Sequence, residues 1–122
     1  MYSRIQNIIR ISNLDDTISY LHSTIKNRTS LSLDFSEIYK PLICDRLIYK
    51  IIRKKILKDN WFNQEVAGVC LLTEKGLKEL TSLFETNIEQ NNYKKIIWDD
   101  IISFEKYLIG INKDIVLYKV RR

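Results

Sequence analysis

The stretch Ser30–Leu47, SLSLDFSEIYKPLICDRL, decides the fold of this chain. Together with the apolar residues that follow, it predicts one long helix from about Leu33 to Leu57. The side chains that would face the core are mostly three or four residues apart, as in a single helical stripe. They are Ile38, Leu42, Ile48, Ile51, Ile52 and Ile56. Pro41 lies inside this pattern and lacks a backbone donor, so we expect a kink or two abutting helices there.

The composition of the whole chain is typical of a helical protein. Its 122 residues suffice for one domain and 45% of them are hydrophobic. Three glycines and one proline are few for an all-β fold, which needs turn residues at each hairpin. We therefore predict a single all-α domain over residues 1–122, with four or five helices around the long central one. Short extended segments are expected only near Val69–Leu72 and Ile115–Tyr118.

Three further helices are predicted from periodicity and end signals. The first covers Tyr2–Ile11, where apolar residues follow helical spacing. The second has Thr73 as its N-cap and ends at Asn91-Asn92. The third begins at Tyr93 and stops at Gly110.

The connections between these helices carry two local predictions. Asp15-Asp16 could open a short helical turn that carries Ile18 and Leu21 inward. Trp61-Phe62 is expected to lie in a loop that packs against the body of the domain.

Charge, cysteine content and hydropathy indicate the partners and the cellular compartment of the protein. The formal net charge of +5 suits an anionic partner such as nucleic acid, although charge constrains association rather than fold. Cys44 and Cys70 lie in apolar surroundings and match no zinc-ligand spacing, which indicates buried free thiols in a reducing compartment. No apolar run reaches the roughly 18 to 20 residues of a bilayer span, so we expect a cytoplasmic protein without membrane contact.

Asp34 and Glu37 lie one helical turn apart, where two carboxylates can converge on one cation or one proton. His22, the only histidine, precedes Glu37 across a polar loop. With Arg28 and Lys40 nearby, these side chains could form a site for Mg²⁺ or Mn²⁺ and hold a phosphate beside it. Such a site can activate a hydroxyl nucleophile for phosphoryl transfer.

These residues also have an ordinary structural interpretation. Asp34 and Glu37 could simply cap and solvate the start of a helix, and a lone histidine is more often a loop or core residue than a ligand. The basic residues between Arg53 and Lys58 are explained by the negative end of a helix more readily than by a DNA contact.

The residues around Asp34 and Glu37 carry a family resemblance. The run LHSTIKNRTSLSLDFSEIYKPLICDRLIYKII and the later VCLLTEKGLKEL resemble the C-terminal helical half of the CRISPR-associated integrase, the universal adaptation protein of CRISPR systems. The pattern is a histidine, a basic residue, Ser-Leu, Asp-x-x-Glu, Lys-Pro and an Asp-Arg pair. Its members here are His22, Arg28, Ser30, Leu31, Asp34, Glu37, Lys40, Pro41, Asp45 and Arg46.

The resemblance implies a metal-dependent DNA integrase and endonuclease, which joins the 3′-hydroxyls of spacer DNA to a CRISPR repeat by transesterification. It implies that His22 and Glu37 are ligands of Mg²⁺ or Mn²⁺ and that Asp34 lines the same site. The side chains that would contact phosphates or DNA are Arg28, Lys40 and Arg46. The partners implied are a second copy of the protein and a small ferredoxin-like adaptation protein that bridges homodimers.

The family also has an N-terminal β-rich domain and an upstream glutamate that completes the metal site, and neither has a counterpart in this sequence. We therefore expect a C-terminal fragment that binds metal weakly and does not integrate DNA. Apolar residues such as Ile5, Ile8 and Ile9 would then be exposed or paired with another copy. The alternative is a non-catalytic helical DNA-binding or protein-interaction module, whose basic face tracks phosphates without chemistry.

Overall fold

The structure is a computed structural model that describes residues 1–21, 29–63, 68–115 and 117. Over these residues the domain is all-α, as predicted, with five α-helices. They are α1 (Tyr2–Ile11), α2 (Ser30–Tyr39), α3 (Arg46–Arg53), α4 (Glu74–Gln90) and α5 (Tyr93–Leu108). A π-helical turn, Lys40–Asp45, joins α2 to α3, and a 3-10 turn covers Asp59–Trp61. None of the described helices has the length and apolar character needed to cross a bilayer.

The described β structure is one short antiparallel pair. Strand β1 (Phe62–Asn63) pairs with β2 (Leu71–Leu72), so the extended segment predicted near Val69–Leu72 is confirmed in its second half. Ile115 and Leu117 do not belong to a strand, and the rest of the segment predicted there lies outside the described residues.

The core lies where α1, α2 and α5 meet. Ile5 and Ile9 of α1 are fully buried, and Ile8 is nearly so. They pack with the apolar faces of α2 and α5, including Ile97 and Ile101. Since each fully buried isoleucine contributes about 1.5–3 kcal/mol, α1 is an integral part of the domain. The expectation that the isoleucines of α1 are exposed or paired with another copy is therefore wrong.

The predicted central helix consists of three helical segments with one buried side. Six of its buried apolar residues recur at every fourth position, and Leu42 is buried beside them. The six are Leu31, Phe35, Tyr39, Ile43, Leu47 and Ile51. On a straight α-helix this repeat would drift around the axis by about 40° per step. The wider π-helical turn at Lys40–Asp45 has more residues per turn and counteracts that drift. The irregularity predicted at Pro41 thus takes the form of a π-helical turn.

Part of the predicted apolar stripe faces solvent. Leu42 and Ile51 are buried as expected, but Ile38, Ile48 and Ile52 are exposed. The prediction for Ile48 and Ile52 is wrong because the buried side of α3 follows the four-residue repeat and not the three-to-four spacing of a regular helix. Ile38, in α2, also falls outside that repeat. α3 also ends at Arg53, short of the expected end, in a turn that precedes a residue with positive φ.

The predicted ends of the other helices are confirmed. α1 covers the predicted range, and the Thr73 hydroxyl accepts a hydrogen bond from the Gly76 amide at 3.1 Å, as an N-cap does. α4 ends before Asn91, and α5 begins at Tyr93. Gly110 follows α5 with a φ of +76°, which explains the glycine there.

The connection after α1 differs from its prediction. Ile18 and Leu21 are exposed, and Asp15-Asp16 opens a turn that does not continue into a helix. Both aspartates are engaged in polar contacts: Asp15 Oδ1 accepts hydrogen bonds from Thr17, and Asp16 contacts the start of α2. Local polar pairing therefore replaces the expected apolar packing.

The predictions for the remaining loop residues are partly confirmed. Trp61 is buried, in the 3-10 turn that leads into β1. Cys44 and Cys70 are free thiols, as expected. Cys44 is half-buried, however, and Cys70 is exposed, because the segment around Cys70 lies on the surface next to β2. The prediction that Cys70 is buried is wrong.

Candidate metal site

The first turn of α2 is capped by Asp16 from the preceding connection. Asp16 Oδ1 accepts hydrogen bonds from the Ser32 amide at 2.8 Å and from the Ser32 hydroxyl at 2.6 Å. The Leu31 amide donates to the Asp16 carbonyl oxygen at 3.0 Å. A carboxylate at this position satisfies free amides and complements the positive end of the helix dipole. The helix that carries Asp34 and Glu37 therefore has a firmly held beginning.

Asp34 is buried, with 6% of its surface exposed. Its Oδ2 accepts hydrogen bonds from the backbone amides of Tyr20, at 2.6 Å, and Leu21, at 3.1 Å. These are charge-assisted bonds in a partly buried setting, which makes them stronger than ordinary amide hydrogen bonds. Asp34 thus ties the middle of the α1–α2 connection to the body of α2.

Aromatic contacts hold the same segment from the other side. The ring of Tyr20 packs edge-to-face on Phe104 of α5, with 5.5 Å between the centroids. Phe35, the neighbour of Asp34, packs edge-to-face on the same Phe104 ring at 5.4 Å. Such pairs contribute about 0.5–1.5 kcal/mol beyond burial. The backbone at Tyr20 is therefore fixed by both α2 and α5.

Glu37 has very different surroundings from Asp34, although it lies one turn further along the same helix. Its carboxylate is exposed and forms an ion pair with Lys40, with 2.5 Å between Nζ and Oε1. Exposed ion pairs contribute about 0–1 kcal/mol. The Glu37 carboxylate can therefore exchange its lysine partner for another cation at little cost.

The predicted convergence of His22, Asp34 and Glu37 stays a prediction. His22 and Arg28 lie outside the described residues. Within the described ranges, no group of three or more His, Cys, Asp or Glu side chains is arranged to hold a metal ion. Lys40 lies beside Glu37, as the prediction requires. Arg46 is exposed at the start of α3, beyond the π-helical turn.

An apolar cavity of about 400 Å³ adjoins Asp34. Its walls include Tyr20, Phe35 and Ile38 on one side and Phe104 and residues beyond α5 on the other. The sequence did not predict this cavity because its walls come from segments that are far apart in the chain. The available signal was the placement of an aspartate among apolar helix residues, where a buried carboxylate requires nearby donors.

Comparison with known proteins points to one family. The model of the family described as "CRISPR associated protein Cas1" matches residues 1–86. The CRISPR-associated endonuclease Cas1 of Pyrococcus horikoshii is 41% identical, over 93% of this chain and 38% of its own length. The CRISPR-associated protein Cas1 1 of Methanobrevibacter ruminantium is 38% identical, over 88% of this chain and 34% of its own length.

The fold comparison agrees with the sequence comparison. The solved structure of a CAS1 protein from Thermotoga maritima matches with a TM-score of 0.82 and 26% identity, covering 99% of this chain and 38% of that chain. The chain thus spans little more than a third of the length of these relatives. By sequence and by fold, it belongs to the Cas1 family of CRISPR-associated proteins.

Proposed function

We propose that this chain carries part of the catalytic centre of a metal-dependent DNA endonuclease and integrase that acts in CRISPR adaptation. Relatives that bear the name endonuclease support nuclease chemistry. The structural observation that carries the proposal is the exposed Glu37 carboxylate with the Lys40 ammonium 2.5 Å away. An exposed carboxylate on a helix can bind a hard cation, and an adjacent ammonium can hold a phosphate oxygen.

His22 and Glu37 would be the protein ligands of Mg²⁺ or Mn²⁺. Of these two ligands, Glu37 lies in the part of the chain that the structure describes. It fits such an ion because its exposed carboxylate offers an accessible oxygen donor. A bound divalent ion would supply Lewis-acid activation of a phosphate oxygen and of a hydroxyl group. Asp34 holds the amides of Tyr20 and Leu21, and His22 follows Leu21 directly in the chain. The Asp34 carboxylate would therefore position the imidazole rather than bind the ion.

The proposed reaction is a transesterification of DNA. The 3′-hydroxyl oxygen of a spacer fragment forms a bond to the phosphorus of a repeat phosphodiester, and the bond from that phosphorus to its former 3′-oxygen breaks. The attacking hydroxyl loses a proton and the leaving oxygen gains one. Lys40, Arg28 and Arg46 would hold phosphate oxygens during this exchange. We further propose that the protein acts as homodimers that are bridged by a small ferredoxin-like partner.

Metal binding tests the proposed ligand set directly. Titration of the purified chain with Mn²⁺, followed by the electron paramagnetic resonance signal of the free ion, should show weak binding. Glu37→Ala should abolish this binding, since it removes the accessible carboxylate. Glu79→Ala, which removes an exposed carboxylate from α4, is the matched control. Equal Mn²⁺ binding by Glu37→Ala and by the unaltered chain would refute the ligand assignment.

An integration assay tests what these 122 residues can do without further protein. Octahedral Mg²⁺ or Mn²⁺ would receive only His22 and Glu37 from this polypeptide and would keep water in most positions. We therefore expect no strand transfer of a hairpin-ended donor into a supercoiled repeat plasmid with Mn²⁺. Strand transfer that is lost in Glu37→Ala would show instead that the site is complete. A non-catalytic DNA-binding module would bind DNA equally well with Glu37→Ala and would show no Mn²⁺ binding.

A further inference from the structure

α3 has two distinct sides. Leu47 and Ile51 form its buried side. Because an α-helix advances by about 100° per residue, Arg46, Lys50 and Arg53 fall within about 60° of one another on a second side. All three are exposed. α3 therefore presents a basic stripe to solvent, separate from the side that packs on the domain.

The positive charge of this region is not neutralised by neighbouring carboxylates. Six basic residues lie between Asp45 and Asp59, and all of them are exposed. They are Arg46, Lys50, Arg53, Lys54, Lys55 and Lys58. None of them forms an ion pair within the part of the chain that the structure describes, whereas Arg4, Lys40 and Lys95 do. A cluster of unpaired cations produces a field that attracts a polyanion.

The helix dipole accounts for only part of this cluster. Cations gain from the dipole within the last turn of a helix, where Lys50 and Arg53 lie. Arg46 is the first residue of α3 and gains nothing from that effect. The helix dipole therefore explains the positive charges of Lys50 and Arg53 but not that of Arg46.

Tyr49 lies directly beside the basic stripe. It is 68% exposed, and it is three residues after Arg46 and four before Arg53, so both guanidinium groups are its neighbours on the helix surface. Within the described residues, its ring makes no contact with another aromatic ring. An exposed ring beside cations is the arrangement on which nucleic-acid bases stack while the phosphates meet the charges.

We propose that this face of α3 binds a single strand of DNA, with phosphates on Arg46, Lys50 and Arg53 and one base stacked on Tyr49. The proposal rests on the proposed function in that DNA is the substrate. The stripe extends for about 10 Å along the helix, so its three cations can contact neighbouring phosphates of one strand. A single strand fits better than a duplex, since only an unpaired strand offers the face of an internal base to Tyr49.

Fluorescence anisotropy in EDTA tests the basic stripe, using the full 122-residue chain with a labelled single strand and the corresponding blunt duplex. Lys50→Ala/Arg53→Ala should weaken single-strand binding about tenfold and lower the slope of log K against log salt by about 1.4, at about 0.7 for each lost phosphate contact. Lys106→Ala/Lys113→Ala removes the same charge from exposed positions elsewhere and is the control. Equal weakening by both pairs would overturn the proposal, as would a failure of the unaltered chain to bind single strands.

Substitution of Tyr49 tests the stacked base. Tyr49→Leu should weaken single-strand binding about tenfold and leave duplex binding unchanged, and Tyr49→Phe, which keeps the ring, should retain the affinity. Equal loss for both DNA forms with Tyr49→Leu would refute a stacking role, and circular dichroism checks that the helix is intact. These measurements exclude metal, so their failure is separable from that of the proposed metal site, which is tested by Mn²⁺ binding to Glu37→Ala.

Discussion

The hydroxyl of Tyr39 in α2 donates a hydrogen bond to Oδ2 of Asp100 in α5, at 2.5 Å, and both side chains are buried. This bond connects the end of α2, just before the π-helical turn, to the helix that closes the core. A buried polar group that loses its hydrogen-bond partner destabilises the folded state. The bond therefore favours one register of α2 against α5 over shifted alternatives.

Tyr39→Phe should lower the free energy of unfolding by about 1–3 kcal/mol, because Asp100 stays buried and loses one donor. Urea denaturation at neutral pH measures this change. Tyr107→Phe removes a hydroxyl from a more exposed tyrosine of α5 and should have little effect. Equal unfolding midpoints for the two variants would contradict a structural role of the Tyr39 hydroxyl.

The stability of the protein should decrease at alkaline pH. Burial, together with the hydrogen bond and the charge of Asp100, raises the pKa of Tyr39 above its usual value. Because the pKa of Tyr39 is raised in the folded state, its contribution to the free energy of unfolding is constant below the pKa of about 10 that a tyrosine has in the unfolded chain. Above that pH the unfolded chain loses the proton first, so the free energy of unfolding falls by up to about 1.4 kcal/mol per pH unit. Urea denaturation should show a steeper alkaline decline for the unaltered chain than for Tyr39→Phe.

Substitution of Asp34 separates a positioning role from a metal-binding role. Asp34→Asn keeps one oxygen acceptor for the Tyr20 and Leu21 amides, whereas Asp34→Ala removes both oxygens. We expect Asp34→Ala to lower the free energy of unfolding by about 1–3 kcal/mol and Asp34→Asn to do so much less. Asp34→Asn should also keep most of the Mn²⁺ affinity. If it abolishes Mn²⁺ binding as completely as Glu37→Ala, Asp34 is a ligand.

Gly76 should not tolerate alanine. A Cβ atom at Gly76 would lie 2.3 Å from the carbonyl oxygen of Trp61, which already accepts a hydrogen bond from the Thr73 amide. Alanine alone would favour the helix by about 1 kcal/mol, but the clash with backbone should reverse the sign and destabilise by about 1–3 kcal/mol. Urea denaturation and tryptophan emission measure the effect. Ser82→Ala, at an exposed position in α4, serves as the control and should not destabilise.

The two cysteines should differ in reactivity. Cys70 is exposed, while burial and, to a lesser extent, the nearby Asp45 charge raise the pKa of the half-buried Cys44. The thiolate is the reactive form, so brief iodoacetamide treatment at mildly alkaline pH should modify Cys70 before Cys44. Peptide mass spectrometry reports the order. In urea the two rates should become similar, and faster labelling of Cys44 in the folded protein would contradict the described burial.

The start of α4 and the end of α5 proved predictable because their signals are local. The Thr73 hydroxyl meets an amide only three residues ahead, and Gly110 takes the positive φ that ends α5. Neither feature depends on a distant part of the chain. The all-α class was predicted from the helical spacing of apolar residues and the low glycine and proline content, which also require no distant contact.

The outward direction of Ile48 and Ile52 could not be obtained from regular helical spacing. The π-helical turn changes the phase between α2 and α3, so a search for one three-to-four stripe selects the wrong residues. The repeat of buried residues at every fourth position was present in the sequence. Its meaning depends on tertiary packing, such as that of Leu31, Phe35 and Tyr39 against α1 and α5, which no local pattern specifies.

The candidate site shows the same division between local and distant information. The exposure of Glu37 and its pairing with Lys40 follow from their spacing on the helix. The burial of Asp34 depends on the backbone amides of Tyr20 and Leu21, which lie in the connection before α2, 14 and 13 residues earlier in the chain. The sequence therefore predicted which residues carry charge near the site, but not which carboxylate faces the backbone.

The placement of α1 against α5 has a consequence for synthesis on the ribosome. Ile5 and Ile9 are synthesised well before their partners Ile97 and Ile101, which follow about 90 residues later in the chain. At a synthesis rate of about 5–20 residues per second, the apolar face of α1 stays exposed for several seconds before α5 is available to pack on it. During that interval α2 is the earliest of the described helices to pack on α1, so the α1–α2 pair covers part of this apolar face before α5 closes the core.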